Sequence, residues 1–296
     1  MTSQRAQPDR PVIVGTDGSA CSASAIQWAA VEAERRRRPL WIVRVFDPVH
    51  AVPSAVETIP PVEAQRIAAQ IDLSEAVGSV DVDTKVERIW VHGDPVQELS
   101  ALAAGAEMLV VGSRGLGGLA GLVLGSTSSR LAMQAPCPVA VVRAGQERET
   151  SPSARRVVAA VDGGTASDLV LDMAFDECEI RGAGLTAVHT YTPPSLAFSE
   201  DAGVREWPEL HEREELLLAE RLAGWRAKHP DVDVVAKTMH GYSAPALVAE
   251  SARAAVIVMA RGGRGRLRDA VIGTPCREVL HHARCPILII PDHPLP

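Results

Sequence analysis

The strongest constraint on this 296-residue chain is that its second half restates its first. The run Val12-Ile13-Val14-Gly15-Thr16-Asp17-Gly18 is short, apolar and closed by an aspartate turn. It returns as Val158-Ala159-Ala160-Val161-Asp162-Gly163, with Asp162 lying 145 positions after Asp17. Val91-His92-Gly93 returns as Met239-His240-Gly241, and Ala135-Pro136-Cys137-Pro138 as Ala283-Arg284-Cys285-Pro286, both 148 positions on. A nearly constant offset across separate motifs identifies a tandem duplication, and a period of this length describes a domain rather than a solenoid repeat. Length leads to the same count, because single cores seldom grow past about 250 residues. The expected layout is an arm at 1–10, a first domain at 11–144, a polar linker at 145–156 and a second domain at 157–293.

Within the first copy, short apolar runs alternate with segments of helical periodicity. Strands are expected at 12–14, 40–46, 84–91, 108–111 and 137–142, and helices at 23–38 and 62–77. The loop at 47–61 is too rich in proline to be core. Residues 35–38, all arginine, read as a solvated helix end that favours the dipole. Asp94 can cap a helix that opens with Pro95, and Gln97 completes a capping box. Such alternation implies an α/β fold with a mainly parallel sheet and helices on both faces. Ligands on such sheets bind beyond the carboxyl ends of the strands.

The segment after the fourth strand carries chemistry. Gly112-Ser113-Arg114-Gly115 is followed, after nine residues, by Gly125-Ser126, and then by Thr127-Ser128-Ser129, a run of helix-capping types. Glycines let backbone N–H groups approach an anion, and a helix start adds unpaired donors and a positive dipole end. In the second copy Gly263, Gly273 and Thr274 keep this spacing, whereas Ala260 replaces Gly112. Arg261, Arg264, Arg266 and Arg268 make that loop basic. They read either as a solvated loop or as phosphate partners compensating for Ala260.

Several classes are disfavoured. The net charge of −7 leaves no basic surplus for nucleic acid. No apolar run approaches the roughly 20 residues of a membrane span, and the first ten residues lack a signal-peptide core, so a cytoplasmic, membrane-free protein is expected. Five cysteines without a CxxC pair fit reduced thiols. Cys276, His281, His282, Cys285 and His293 cluster in sequence, but helix and strand packing explains them better than zinc. There is no GxxxxGK[ST] P-loop, and Gly115-x-Gly117-x-x-Ala120 matches a dinucleotide fingerprint in the wrong place, after the fourth strand. His92 and His240 sit at equivalent strand ends, where turn structure explains them better than a catalytic base, and no catalytic set emerges.

These motifs resemble those of the universal stress protein family in its tandem form. The family's G-x2-G-x9-G-[ST] string is met by Gly112, Gly115, Gly125 and Ser126. The resemblance implies, in each half, a five-stranded parallel sheet of order 3-2-1-4-5 that binds ATP with a divalent metal, magnesium or manganese. Carried over by position, Asp17 lies near the adenosine, Val45 offers its backbone to adenine, and the glycines with Ser126 cradle phosphate. Asp162, Thr190, Gly263, Gly273 and Thr274 are the matching set in the second half. The resemblance further implies a nucleotide-dependent regulatory or stress-response protein with unidentified protein partners. Its fifth-strand edges mediate pairing, giving an internal pseudo-dimer or a homodimer. A slow ATP hydrolase and an interaction scaffold with one working site are the alternatives.

Overall fold

The computed structural model describes residues 10–46, 74, 78, 80–115, 124–146, 156–164, 166–192, 207–262 and 274–291. The expected loop at 47–61, all but one residue of the helix at 62–77, and Gly263, Arg264, Arg266, Arg268 and Gly273 lie outside them. The chain divides into two compact units, Met1–Arg148 and Glu149–Pro296.

In the first unit the elements run β1 (Val12–Thr16), α1 (Ala20–Arg36), β2 (Leu40–Phe46), β3 (Val86–His92), α2 (Pro95–Ala103), β4 (Met108–Gly112), α3 (Ser126–Gln134) and β5 (Val139–Val142). All pairings are parallel, in the order β3-β2-β1-β4-β5. Val12 faces both Leu40 and Met108, so the chain first builds outward through β2 and β3 and then jumps back to the other side of β1. That reversal separates the loops after β1 and β4 and opens a crevice between them. Val12, Ile13, Val14, Met108, Leu109 and Val110 are fully buried, which is why both strands are continuous apolar runs. Helix α1 rests on β1, β4 and β5, and α2 packs on β2, β1 and β4 and against α3.

The local signals act as expected, with two shifts. Ser19 is the N-cap of α1, its hydroxyl accepting from the Ser22 N–H at 3.2 Å. Asp94 caps α2, its Oδ1 accepting from the N–H groups of Val96 and Gln97 at 3.0 Å each. Helix α3, by contrast, is capped by Gly125 with no side-chain hydrogen bond, and the Ser/Thr run lies inside the helix. The arginines at 35–38 are not uniformly solvated. Arg36 is 5% exposed and pairs with the wholly buried Glu32 and with Glu107, which Arg38 also reaches. Apolar packing against β4 draws this end of α1 inward, and the carboxylates compensate the buried charge.

The second unit repeats the plan with β6 (Arg156–Val161), α4 (Ala166–Arg181), β7 (Leu185–Tyr191), α5 (Trp207–Lys228), β8 (Val234–His240), α6 (Ser243–Ser251), β9 (Ala254–Ala260), α7 (Thr274–His282) and β10 (Ile287–Ile290). Its order is β8-β7-β6-β9-β10, again all parallel. Fine details are duplicated too. Glu177 and Arg181, almost fully buried, form the counterpart of Glu32 and Arg36, with two contacts of 2.9 Å. His92 stands edge-on to Phe46 at 5.1 Å and His240 to Tyr191 at 5.8 Å. Each histidine precedes a glycine of positive φ, 147° at Gly93 and 123° at Gly241, so both copies close the strand with an aromatic contact and a turn that side chains disfavour. All five cysteines are free and buried, and burial beside Glu177 pushes the Cys178 thiol up to about 12. Among the described residues no helix is long and apolar enough to cross a membrane.

Candidate functional site

Asp17, Val45, Gly112, Gly115, Gly125 and Ser126 all line one cavity of about 670 Å³ in the first unit. That volume lies within the range of about 300–1,000 Å³ typical of small-molecule sites. Asp17 ends β1 and folds into a turn, its Oδ1 accepting from the Ser19 N–H at 3.0 Å, with Gly18 at φ 82°. Thr16 and Ser22 line the floor, their hydroxyls 3.2 Å apart. Val45 lies on β2 opposite Val91, so its backbone edge is committed to the sheet on that side.

None of the three glycines has a positive φ; Gly112 and Gly115 work by saving space, and Gly125 does not. A Cβ at Gly112 would lie 2.8 Å from the carbonyl carbon of Cys21 and 2.9 Å from the nitrogen of Ser22. The first turn of α1 therefore sits directly on Gly112, and its role begins with helix packing. A Cβ at Gly115 would run into the Asp17 carboxylate, so this glycine lets the aspartate lie against the loop. A Cβ at Gly125 would meet nothing closer than 3.6 Å. The loop ends are tied together: the Gly125 N–H donates to Ser113 O at 2.7 Å, and the Ser113 N–H to Val142 O at 2.7 Å. Ser19 Oγ donates to Arg114 O at 3.2 Å, and Ser128 Oγ to Gly112 O at 2.5 Å. Both helix starts are thereby fastened to the loop. With no side chain on the N-cap, the first-turn N–H groups of α3 are offered to an anion.

The electrostatics lean the same way. Arg114 lines the cavity, and burial first and then its charge hold Arg143 below the usual guanidinium range. The charged lining residues Asp94, Arg114 and Arg130 were not singled out as ligand contacts. Arg130 lies one helical turn past Ser126, a spacing that places both on one face of α3. Its Nη1 is 3.9 Å from Asp94 Oδ2, so the α2 cap also carries half of an ion pair at the cavity wall.

The second unit holds a cavity of about 200 Å³, lined by Asp162, Thr190, Ser243, Ala260, Arg261 and Cys276 among others. Asp162 forms the same kind of turn, its Oδ1 accepting from the Gly164 N–H and from Ser167 Oγ, both at 2.8 Å. Thr274 begins α7. Arg261, expected in a solvated or phosphate-facing loop, is 7% exposed and replaces Ser113. Its N–H donates to Ile290 O at 3.3 Å, as Ser113 does to Val142. Pro275 and Cys276, which line the cavity, stand where the first copy has Thr127 and Ser128, and the exposed Glu278 and Tyr242, outside its lining, stand where it has Arg130 and Asp94. Below it the buried His189 bridges Val161 O and Glu214 Oε2 at 2.8 Å each, a position held in the first copy by Arg44, whose Nη1 donates to Thr16 O at 3.3 Å. Among the described residues no group of three or more His, Cys, Asp or Glu side chains could hold a metal ion.

Each unit is thus an open parallel α/β domain with its crevice at the point where strand order reverses between the first and fourth strands. The universal stress protein family model matches residues 10–143 and again 153–291, and the chain belongs to that family. A universal stress protein of Mycobacterium tuberculosis is 36% identical over 94% of this chain and 96% of its own length. A second from the same organism is 31% identical over 94% and 95%. A universal stress protein structure from Archaeoglobus fulgidus shares the fold, with a TM-score of 0.68 at 19% identity over 97% of this chain and all of that one.

Proposed function

We propose that the first unit binds ATP and that occupancy governs the conformation or partner choice of a regulatory stress protein, without fast turnover. The observation that carries this reading is the single cavity that gathers Asp17, Val45, Gly112, Gly115, Gly125 and Ser126 over the start of α3. The volume suits a nucleotide, the helix start and Arg114 suit its phosphates, and Asp17 supplies an acceptor for sugar hydroxyls. A divalent cation fits only as a passenger on the phosphates, because the described residues provide no cage and magnesium normally keeps phosphate and water oxygens. Asp17 and Asp94 both already accept backbone N–H groups, which favours retention over general-base work.

Native mass spectrometry of the full chain with ATP and magnesium tests the reading directly. One ATP per chain is expected, and Gly115→Glu should abolish it, since even a Cβ there meets Asp17. A chain that takes up no nucleotide would defeat the proposal. Quantifying phosphate release separately distinguishes retention from slow hydrolysis.

A further inference from the structure

Two residues at the wall of the first cavity carry opposite charges and have no like counterparts in the second copy. Asp94 commits Oδ1 to capping α2, at 3.0 Å from the N–H groups of Val96 and Gln97. Only Oδ2 faces Arg130, at 3.9 Å, and both side chains are about half exposed, at 46% and 50%. A pair this long and this wet is loosely held. Phosphate offers a guanidinium more charge and a bidentate edge, so it is the stronger partner. Helical side chains lean toward the N-terminus, which directs Arg130 back over the turn that begins at Ser126. A single phosphate at the helix start is served by backbone N–H groups. Additional phosphates extending toward α2 come within the arc of Arg130.

Resting on the nucleotide reading above, we infer that Arg130, parked on Asp94 in the free protein, sets how many phosphates the first site prefers, and that the opposite charge of Glu278 at the matching position of α7 disfavours polyphosphates at the second. Three further changes act with Glu278. Pro275 removes one backbone donor from the first turn of α7, Cys276 replaces a hydroxyl, and the cavity is about 200 Å³ against about 670 Å³. The exposed Tyr242 in place of Asp94 leaves no carboxylate there to hold a cation. The two halves thus differ in the sign of the charge presented beside the helix start.

Calorimetric titration of the full chain with AMP, ADP and ATP tests this. For Arg130→Gln, ATP affinity is expected to fall about tenfold and AMP affinity less than about twofold, with a shallower salt dependence for ATP. For Asp94→Asn, which still caps α2, ATP affinity is expected to rise about threefold with AMP unchanged. Equal losses for all three nucleotides in Arg130→Gln would show a merely structural residue and overturn the inference, as would weaker ATP binding in Asp94→Asn. Two ATP per wild-type chain would overturn the reading of Glu278 while leaving the first site intact. A wild-type chain that binds none of the three would refute the nucleotide reading itself, and this inference with it.

Discussion

Gly112→Ala isolates what a glycine at the end of β4 is for. The added Cβ would stand 2.8 Å from the Cys21 carbonyl carbon and 2.9 Å from both Cys21 O and Ser22 N. Carbon atoms in contact prefer about 3.5–4.0 Å, so the start of α1 has to retreat by about 0.7 Å. Those neighbours are backbone atoms of a 17-residue helix with ten buried residues, so no side chain can rotate away. Overpacking of this kind costs about 1–3 kcal/mol, and the lack of an escape route favours about 2 kcal/mol. Urea unfolding of the full chain should show this loss in one transition, and hydrogen exchange should place it in α1 and β4 rather than in the second unit. Trp28, Trp41 and Trp90 report on the first unit by fluorescence. A loss below about 0.5 kcal/mol would refute the packing argument. If stability held while ATP binding vanished, the glycine would be serving the ligand alone.

Three further outcomes follow from the same contacts. Arg181→Met strands the buried Glu177 carboxylate and should cost about 3–5 kcal/mol in the second unit, whereas Glu177→Leu with Arg181→Met should recover most of it in the same urea titration. Cys178 should resist alkylation in the folded chain. Because its folded value is raised from 9.0 to about 12, its contribution to stability is intact below pH 9.0 and is lost as pH climbs toward 12; a melting temperature that stayed flat across that window, relative to Cys178→Ala, would contradict it. Ser128→Ala removes the buried hydrogen bond to Gly112 O and should lower stability by about 1 kcal/mol, read as a shift in urea midpoint.

Much of the architecture was legible because it rests on repetition and on local signals. The duplication made each half a check on the other, apolar runs marked β1 and β4, and Asp94 announced a helix start that the structure places there. The grouping of Asp17 with the loop glycines followed once the strand order reversed between β1 and β4. What escaped was set by packing across the chain. The arginines at 35–38 look solvated in one dimension, yet Arg36 is drawn in by Glu32 and Glu107, the latter distant in sequence. Gly112 looked like a ligand contact, and its nearest neighbour is a helix backbone that sequence spacing cannot reveal. Arg130 carried its signal in helical spacing from Ser126, but its partner Asp94 belonged to a different helix. For Arg261 burial excludes the solvated-loop alternative, and a basic run gives no hint which member turns inward.

The bond from the Gly125 N–H to Ser113 O ties together the two ends of the segment between β4 and α3. For a segment anchored this way, doubling the length adds only about 0.6 kcal/mol of closure entropy. Closure entropy therefore sets little limit on the length of what lies between. The arginine-rich counterpart in the second copy shows how far the composition of this segment has diverged, and the same bond marks residues 114–124 as a place to introduce loops of other length or charge.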